Sequence, residues 1–250
     1  MLEIKNLNVS VNDKRIISDL SLNINKGEIH ALMGQNGTGK STLCKVILRD
    51  PEYKITSGSI KINDKDLRKM DTTEVAREKV FLLNQSPIAI EGVTNAEMLR
   101  TALSEINDKQ VNIFEFNKKM EDICKKLDLP LDFIHREINV GMSGGERKKN
   151  ELLHMWMLEP NLILLDEIDS GLDVDALKIV ANSINEYYQE YKPSILIITH
   201  HQKILDLIKP DYIHIMKNGS IVKSGDKSLA EQIEHEGFKA FNINGHDKNE

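Results

Sequence analysis

The stretch Gly34-Gln35-Asn36-Gly37-Thr38-Gly39-Lys40-Ser41 constrains this chain more than any other. It has the form G-x-x-x-x-G-K-[ST] and stands between two segments of opposite character. Ahead of it, Glu28 to Met33 is a short, largely apolar run that reads as a buried strand. Behind it, Ser41 to Leu48 contains no Gly or Pro and reads as a helix. Strand, glycine loop and helix in that order aim successive backbone N–H groups and a helix N-terminus at one point, which makes an anion site. The glycines permit the tight turn and a close approach of backbone to ligand. Gly34, Gln35, Asn36, Gly37, Thr38, Gly39, Lys40, Ser41 and Thr42 are therefore the expected cradle for the phosphates of ATP. Lys40 would reach the β- and γ-phosphates, and Ser41 would place its hydroxyl on Mg²⁺.

A chain of 250 residues with 40% hydrophobic content holds enough apolar surface for a sizeable core. Its formal net charge of −6 argues against a protein that coats nucleic acid by charge alone. No stretch approaches the roughly 20 apolar residues of a membrane span. Met1 to Lys5 goes straight into strand-like alternation, without signal or transit character. The expectation is a cytoplasmic protein with no direct membrane insertion. Cys44 and Cys124, the two cysteines, form neither a CxxC nor a His-paired cluster and read as core thiols of a reducing compartment.

Along the chain, Leu2 to Ile29 reads as short strands joined by turns, an antiparallel β region, and Ser59 to Ile62 as one more strand. Asp71-Thr72-Thr73-Glu74 starts a helix, and Val80 to Leu83 is a buried strand ending at Asn84-Gln85. From Ser86 to Glu159 the reading is helical. Thr94-Asn95-Ala96-Glu97 opens one helix, Phe114 to Leu127 forms a second, and Ser143-Gly144-Gly145-Glu146 opens a third. Buried strands return at Leu162 to Asp166 and Ser194 to Thr199, with a long helix at Val174 to Tyr191. A hairpin turns at Asn218-Gly219, and a short helix runs from Ser228 to His235. The organisation expected is a nucleotide-binding core of residues 1–85 and 160–235, an inserted helical subdomain of residues 86–159 and a tail of residues 236–250.

Two further clusters carry chemistry. Leu162-Ile163-Leu164-Leu165 ends in Asp166-Glu167, so Asp166 emerges at the sheet edge beside the loop and is the expected Mg²⁺ carboxylate. Strand alternation sends Glu167 elsewhere, as the candidate to orient and activate an attacking water. Ser143 to Glu146 puts two glycines at a helix start, a second anion receptor.

Taken together, the chain resembles the ATP-binding-cassette ATPases over nearly its whole length. Gly34 to Ser41 matches their Walker A motif, Leu162 to Glu167 Walker B and Ser143 to Glu146 the signature. Gln85 matches the Q-loop glutamine, Ser170-Gly171-Leu172-Asp173 the D-loop and His200 the switch histidine. The resemblance implies an α/β fold: a RecA-like P-loop core, an N-terminal antiparallel β region and an inserted helical subdomain. It implies that Gln85 senses Mg²⁺ and water and that His200 contacts the γ-phosphate. It also implies that Ser143, Gly144, Gly145, Glu146 and Asp173 complete the site of a second copy, two ATP being held between two chains head to tail.

Departures from the transporter pattern sharpen the resemblance. Glu146 stands where transport cassettes usually carry glutamine, Gly171 where they carry alanine and His201 where an acid is frequent. The stacking aromatic expected near Val11 is absent. Those positions, with Glu167 to Lys178, Asn139 to Asn150, Ile208 to Tyr212 and Ile221 to Asp226, are similar to the cassette ATPases of the SUF iron–sulfur cluster assembly machinery. This implies SufB- or SufD-like scaffold partners. A membrane importer or exporter ATPase is the first alternative. A chromosome or repair ATPase would need long coiled-coil arms or nucleic-acid surfaces, which the span from Ser86 to Glu159 is too short and too mixed in charge to supply, and an intact Glu167 and His200 weigh against a non-hydrolysing regulator. Of the basic run Arg147-Lys148-Lys149, Lys148 is a candidate latch on Glu167 in the lone subunit, the alternative being a solvated basic face.

Overall fold

A computed structural model describes residues 1–237. The expected tail of residues 236–250 lies almost wholly outside the described residues. The chain opens with β1 (Leu2–Val11), β2 (Lys14–Ile24) and β3 (Ile29–Met33), then α1 (Lys40–Ile47). Next come β4 (Lys54–Ile62), β5 (Lys65–Asp66), α2 (Thr72–Arg77), β6 (Val80–Leu83) and β7 (Ile90–Thr94). A helical stretch holds α3 (Asn95–Asn107), α4 (Ile113–Lys126), the short β8 (Glu137–Ile138) and α5 (Gly144–Leu158). The last third is β9 (Leu162–Asp166), α6 (Val174–Tyr191), β10 (Ser194–Thr199), α7 (Gln202–Ile208), β11 (Tyr212–Lys217), β12 (Ser220–Gly225) and α8 (Lys227–Glu236).

One sheet has the order β12-β11-β3-β10-β9-β6, parallel except for β12. Its central strands β3, β9 and β10 are buried at every position, as strands covered on both faces must be. Alternation divides their side chains between two cores. Ala31, Met33, Ile163, Leu165, Ile195 and Ile197 join Leu153, Met157, Ile184 and Ile204 of α5, α6 and α7. Leu32, Leu162, Leu164, Leu196 and Ile198 join Leu43, Cys44 and Ile47 of α1 and the inner faces of β1, β2 and β4. Both cysteines are buried free thiols.

The second sheet, β2-β1-β4-β5, is the expected antiparallel region, but its strands are long and bulged rather than short. Asn12 and Asp13 both take positive φ in the two-residue turn, and Asn6 and Asp19, also at positive φ, mark irregular pairing. Gly58 sits against that irregularity: a Cβ there would lie 2.3 Å from the Asn6 carbonyl oxygen. Four elements escaped the sequence reading, the two-residue β5 among them. α7 is short, and β7 pairs with β8 inside the stretch read as helical. Such two-stranded pairs depend on partners remote in sequence, which local patterning does not reveal.

Between α3 and α5 lies a buried polar network. Asn150 Nδ2 donates to Asn95 Oδ1 and Asn139 Oδ1, both at 3.1 Å, and Asn95 Nδ2 donates to the Phe133 carbonyl at 2.8 Å. His154 Nε2 lies 2.7 Å from Asn95 Oδ1, which fixes the proton on that nitrogen because the amide oxygen only accepts. Burial pulls the His154 pKa from 6.5 down to about 4. The unfolded chain therefore binds a proton that the folded chain refuses between those values, and stability is lost as pH falls through that window. Denaturant melts are expected to show a loss of roughly 2 kcal/mol from this residue between pH 7 and pH 5. His154→Gln should flatten that slope; an unchanged slope would exclude His154 as its source.

Candidate active site

The parallel register sets the site. Thr199 lies beside Met33, Asp166 beside Ile198 and Leu83 beside Leu165, so β3, β10, β9 and β6 end at one edge. The next residues along the chain, Gly34, His200, Glu167 and Asn84-Gln85, are gathered there, in the crevice outside the carboxyl ends of the strands.

The loop from Gly34 to Gly39 wraps that edge and passes into α1. Gly34 packs so closely that a Cβ would lie 2.4 Å from the Met216 carbonyl oxygen, and Gly39 precedes the helix at φ 101°. The lip, Gln35 to Gly37, is exposed. Thr38 Oγ1 donates to the Gln35 carbonyl at 2.9 Å, and the Thr38 carbonyl accepts the Gly219 N–H at 3.1 Å, so the β11–β12 turn braces the loop. Thr42, half-buried in the first turn of α1, comes next.

Lys40 is buried at 4% exposure, and its ammonium donates to the Gly34 and Gln35 carbonyls at 2.8 and 3.0 Å. It also lies 3.9 Å from Glu167 Oε1. Burial lowers its pKa, while Glu167 and Asp166 oppose the fall. Asp166 shares the strand face of Leu164, which is turned toward α1. Its Oδ1 accepts the Ser41 hydroxyl at 2.8 Å across 125 positions of sequence. Burial raises the Asp166 pKa, Glu167 raises it further, and the Ser41 bond and Lys40 pull the other way. A hydroxyl and a carboxylate in contact at this edge are hard oxygen donors of the kind Mg²⁺ takes.

Glu167 is placed differently from expectation. It stands past the strand end at φ 46°, with its N–H bonded to the Ile198 carbonyl. A left-handed backbone, not strand alternation, directs its carboxylate back to Lys40 and to within 3.4 Å of His200 Nδ1. That histidine nitrogen is buried and lacks an aligned hydrogen-bond partner. Gln85 is exposed, with Nε2 3.5 Å from the Ser170 hydroxyl of the segment leading to α6. Asp169, not singled out from sequence, accepts from the buried Thr199 hydroxyl at 3.2 Å; its only signal was its place between two matched motifs.

The remaining predicted residues sit apart. Ser143 caps α5 in a reciprocal box: its Oγ accepts the Glu146 N–H, and Glu146 Oε2 accepts the Ser143 N–H at 2.8 Å. Gly144 and Gly145 are exposed with nothing against them. Asp173 caps α6 by accepting the Ala176 N–H at 2.8 Å. No recorded hydrogen bond or ion pair among the described residues joins these to the Gly34–Ser41 loop. Lys148 does not reach Glu167 either, nor is it solvated. At 3% exposure it pairs with Glu151 at 3.0 Å and donates to the Asn84 carbonyl.

A glycine loop bracing a buried lysine, a Ser–Asp pair, and an acid and a histidine at one edge of a parallel sheet define a nucleoside-triphosphatase site. The family model described as "ABC transporter" matches residues 17–170, and the chain belongs to the ATP-binding-cassette ATPases. More particularly, it is SufC-like. It is 46% identical to "Probable ATP-dependent transporter SufC" of Escherichia coli over 95% of this chain and 97% of that one. It is 44% identical to "Vegetative protein 296" of Bacillus subtilis, over 95% and 91%. Among solved structures, an ATP-binding subunit of an ABC transporter superposes with TM-score 0.79 at 24% identity, over 96% and 99%. The cassette MJ0796, in a dimer bound to ADP and Pi, does so at 0.77 and 21%, over 90% and 98%. At these identities the two structures establish the fold. Among the described residues no helix is long and apolar enough to cross a membrane.

Because the fold holds the Asp166 proton more tightly than the unfolded chain does, its ionised form subtracts stability once pH rises past the ordinary range near 3.8. Asp166→Asn keeps an acceptor for Ser41 and removes the buried charge. Its nucleotide-free melting temperature at pH 7 should exceed that of the parent; a lower one would refute this account of the site's electrostatics.

Proposed function

We propose that this ABC-type ATPase hydrolyses ATP in a composite site and drives a soluble iron–sulfur assembly scaffold. The observation that carries the chemistry is the convergence of Lys40, Ser41, Asp166, Glu167 and His200 at one sheet edge. In this reading Gly34 to Thr42 wraps the triphosphate with backbone N–H groups, and Lys40 exchanges its two loop carbonyls for the β- and γ-phosphates. Ser41, Asp166 and Gln85 would hold Mg²⁺, which when bound neutralises phosphate charge. Glu167 orients the attacking water and takes its proton, and His200 donates toward the γ-phosphate.

The exposed Ser143-Gly144-Gly145 start of α5, with Glu146 locked in the cap, makes no hydrogen bond or ion pair to the Gly34–Ser41 loop of its own chain among the described residues. A second copy supplies a phosphate site: each signature closes over the ATP of the other, with Asp173 near the seam. SufB- or SufD-like proteins are the proposed scaffold partners and the cytoplasm the proposed location. The basis is the resemblance at Asn139 to Asn150 and Glu167 to Lys178, together with the SufC relative. The transporter reading has the relatives' printed descriptions in its favour.

Glu167→Gln is expected to bind ATP normally, lose turnover by on the order of 10²-fold or more and accumulate ATP-bound dimers in crosslinking or sizing experiments. Parent-like turnover would remove Glu167 from the role. Lys40→Ala should weaken ATP binding at least about tenfold in equilibrium titration; unchanged affinity would contradict the phosphate reading. Affinity purification from cells with mass spectrometry separates the two biological readings. A soluble scaffold as stoichiometric partner supports assembly, and a membrane permease supports transport.

A further inference from the structure

Trp156, the chain's only tryptophan, is held in one orientation near the end of α5. Its indole N–H donates to the Ser183 hydroxyl at 3.0 Å, and the rings of Tyr187 and Tyr191 stand at 85° and 74° to it. The Lys126 ammonium, from the last turn of α4, lies 3.5 Å from the centre of the indole ring. Two carboxylates of α6 flank the same ammonium, Glu190 at 3.4 Å and Glu186 at 3.8 Å. An aromatic face and two acids thus converge on one point, which is the environment an alkylammonium group favours.

The chain fills this receptor with its own side chain, but loosely. Both ion-pair distances exceed those of a short charged hydrogen bond. The Lys126 side chain is 34% exposed, while the Trp156 ring beneath it belongs to a residue only 3% exposed. Two clefts meet here. One, of about 350 Å³, runs along α4 past Asp122 and Glu115. The other, of about 700 Å³, runs along α6 past Glu186 and Asn182. Lys126 and Glu190 line both. Lys118 and Lys119 also line the first cleft, but Lys119 is tied to Glu159 at 2.6 Å. The local field is negative: burial and the adjacent Glu190 push the Tyr191 phenol up to about 12.

A cation receptor placed where two acid-bearing clefts meet fits a linear chain of ammonium groups joined by methylenes. We propose that this groove is a binding site for aliphatic polyamines, one ligand ammonium taking the place of Lys126 over Trp156. The next ammonium along the ligand meets Asp122 and Glu115 on α4, and its methylenes lie against Ile123 and Tyr191 of the same cleft. Lys126 turns to solvent, and the ligand replaces the link it makes from α4 to α5 and α6. None of these residues belongs to the ATP site, so the proposal stands apart from the reading of that site.

Because Trp156 is the sole tryptophan, its emission reads the groove directly in the full chain. Titration with spermidine at constant ionic strength should give a saturable change in the parent. Lys126→Ala should bind spermidine at least about tenfold tighter, since the tethered ammonium no longer competes. Adding Glu190→Gln to Lys126→Ala should weaken that binding about threefold or more. No saturable change in the parent, equal affinity in parent and Lys126→Ala, or indifference to Glu190→Gln would each overturn the proposal. A response reproduced by sodium chloride alone would reduce the effect to screening and overturn it too. Tighter binding of tetralysine than of spermidine would assign the groove to a basic peptide and sink the polyamine reading. Should Lys126→Ala fail to fold, Lys126→Gln, which keeps most of the stem and loses the charge, takes its place with the same outcomes.

Discussion

The groups gathered around the Gly34–Ser41 loop depend on the parallel register of β3, β10, β9 and β6. Four strands from four distant parts of the chain end level with one another, and the loop leaving each strand is thereby delivered to the same edge. A shift of one residue in any strand would turn its apolar side chains to the opposite core and its terminal acid away from the loop. The two cores enforce the register, because each strand buries side chains of both parities. Site and core are thus specified by the same pattern.

Within that edge, electrostatics decide the resting arrangement. Lys40 is removed from water beside two carboxylates and completes its bonding with its own loop carbonyls. Asp166 is held by Ser41, and Glu167 lies between Lys40 and His200. Apart from the unpartnered His200 Nδ1, these groups hold one another at an edge where, in the proposed mechanism, a triphosphate with its own charge and many acceptor oxygens competes for them. The signature and Asp173 are by contrast engaged in capping helices and face solvent. That separation is the physical reason a second chain is needed in the proposed mechanism.

Much of this was legible in the residues. The glycine loop, the acid-terminated apolar run, the capping boxes at Thr94 and Ser143 and the Asn218-Gly219 hairpin are local patterns with local causes, and the structure bears each of them out. The β7–β8 pair and α7 were not legible, since one is too dependent on its remote partner and the other too short for periodicity to register. The direction of Glu167 was misjudged because alternation was extended one residue past the strand, where φ turns positive.

The fate of the charges after the signature shows where local reading ends. Arg147, Lys148 and Lys149 are adjacent and chemically alike. Yet Arg147 caps its own loop through the Met142 carbonyl, Lys149 reaches the Asp128 carbonyl, and Lys148 is buried against Asn84 and Glu151. Sequence by itself determined most of the strands and helices, the candidate residues for holding phosphate, and the family they belong to, because those rest on spacing along one chain. Only the tertiary structure decided which charges meet, since a contact across 125 positions, as between Ser41 and Asp166, is set by how the layers stack and not by anything adjacent to either residue.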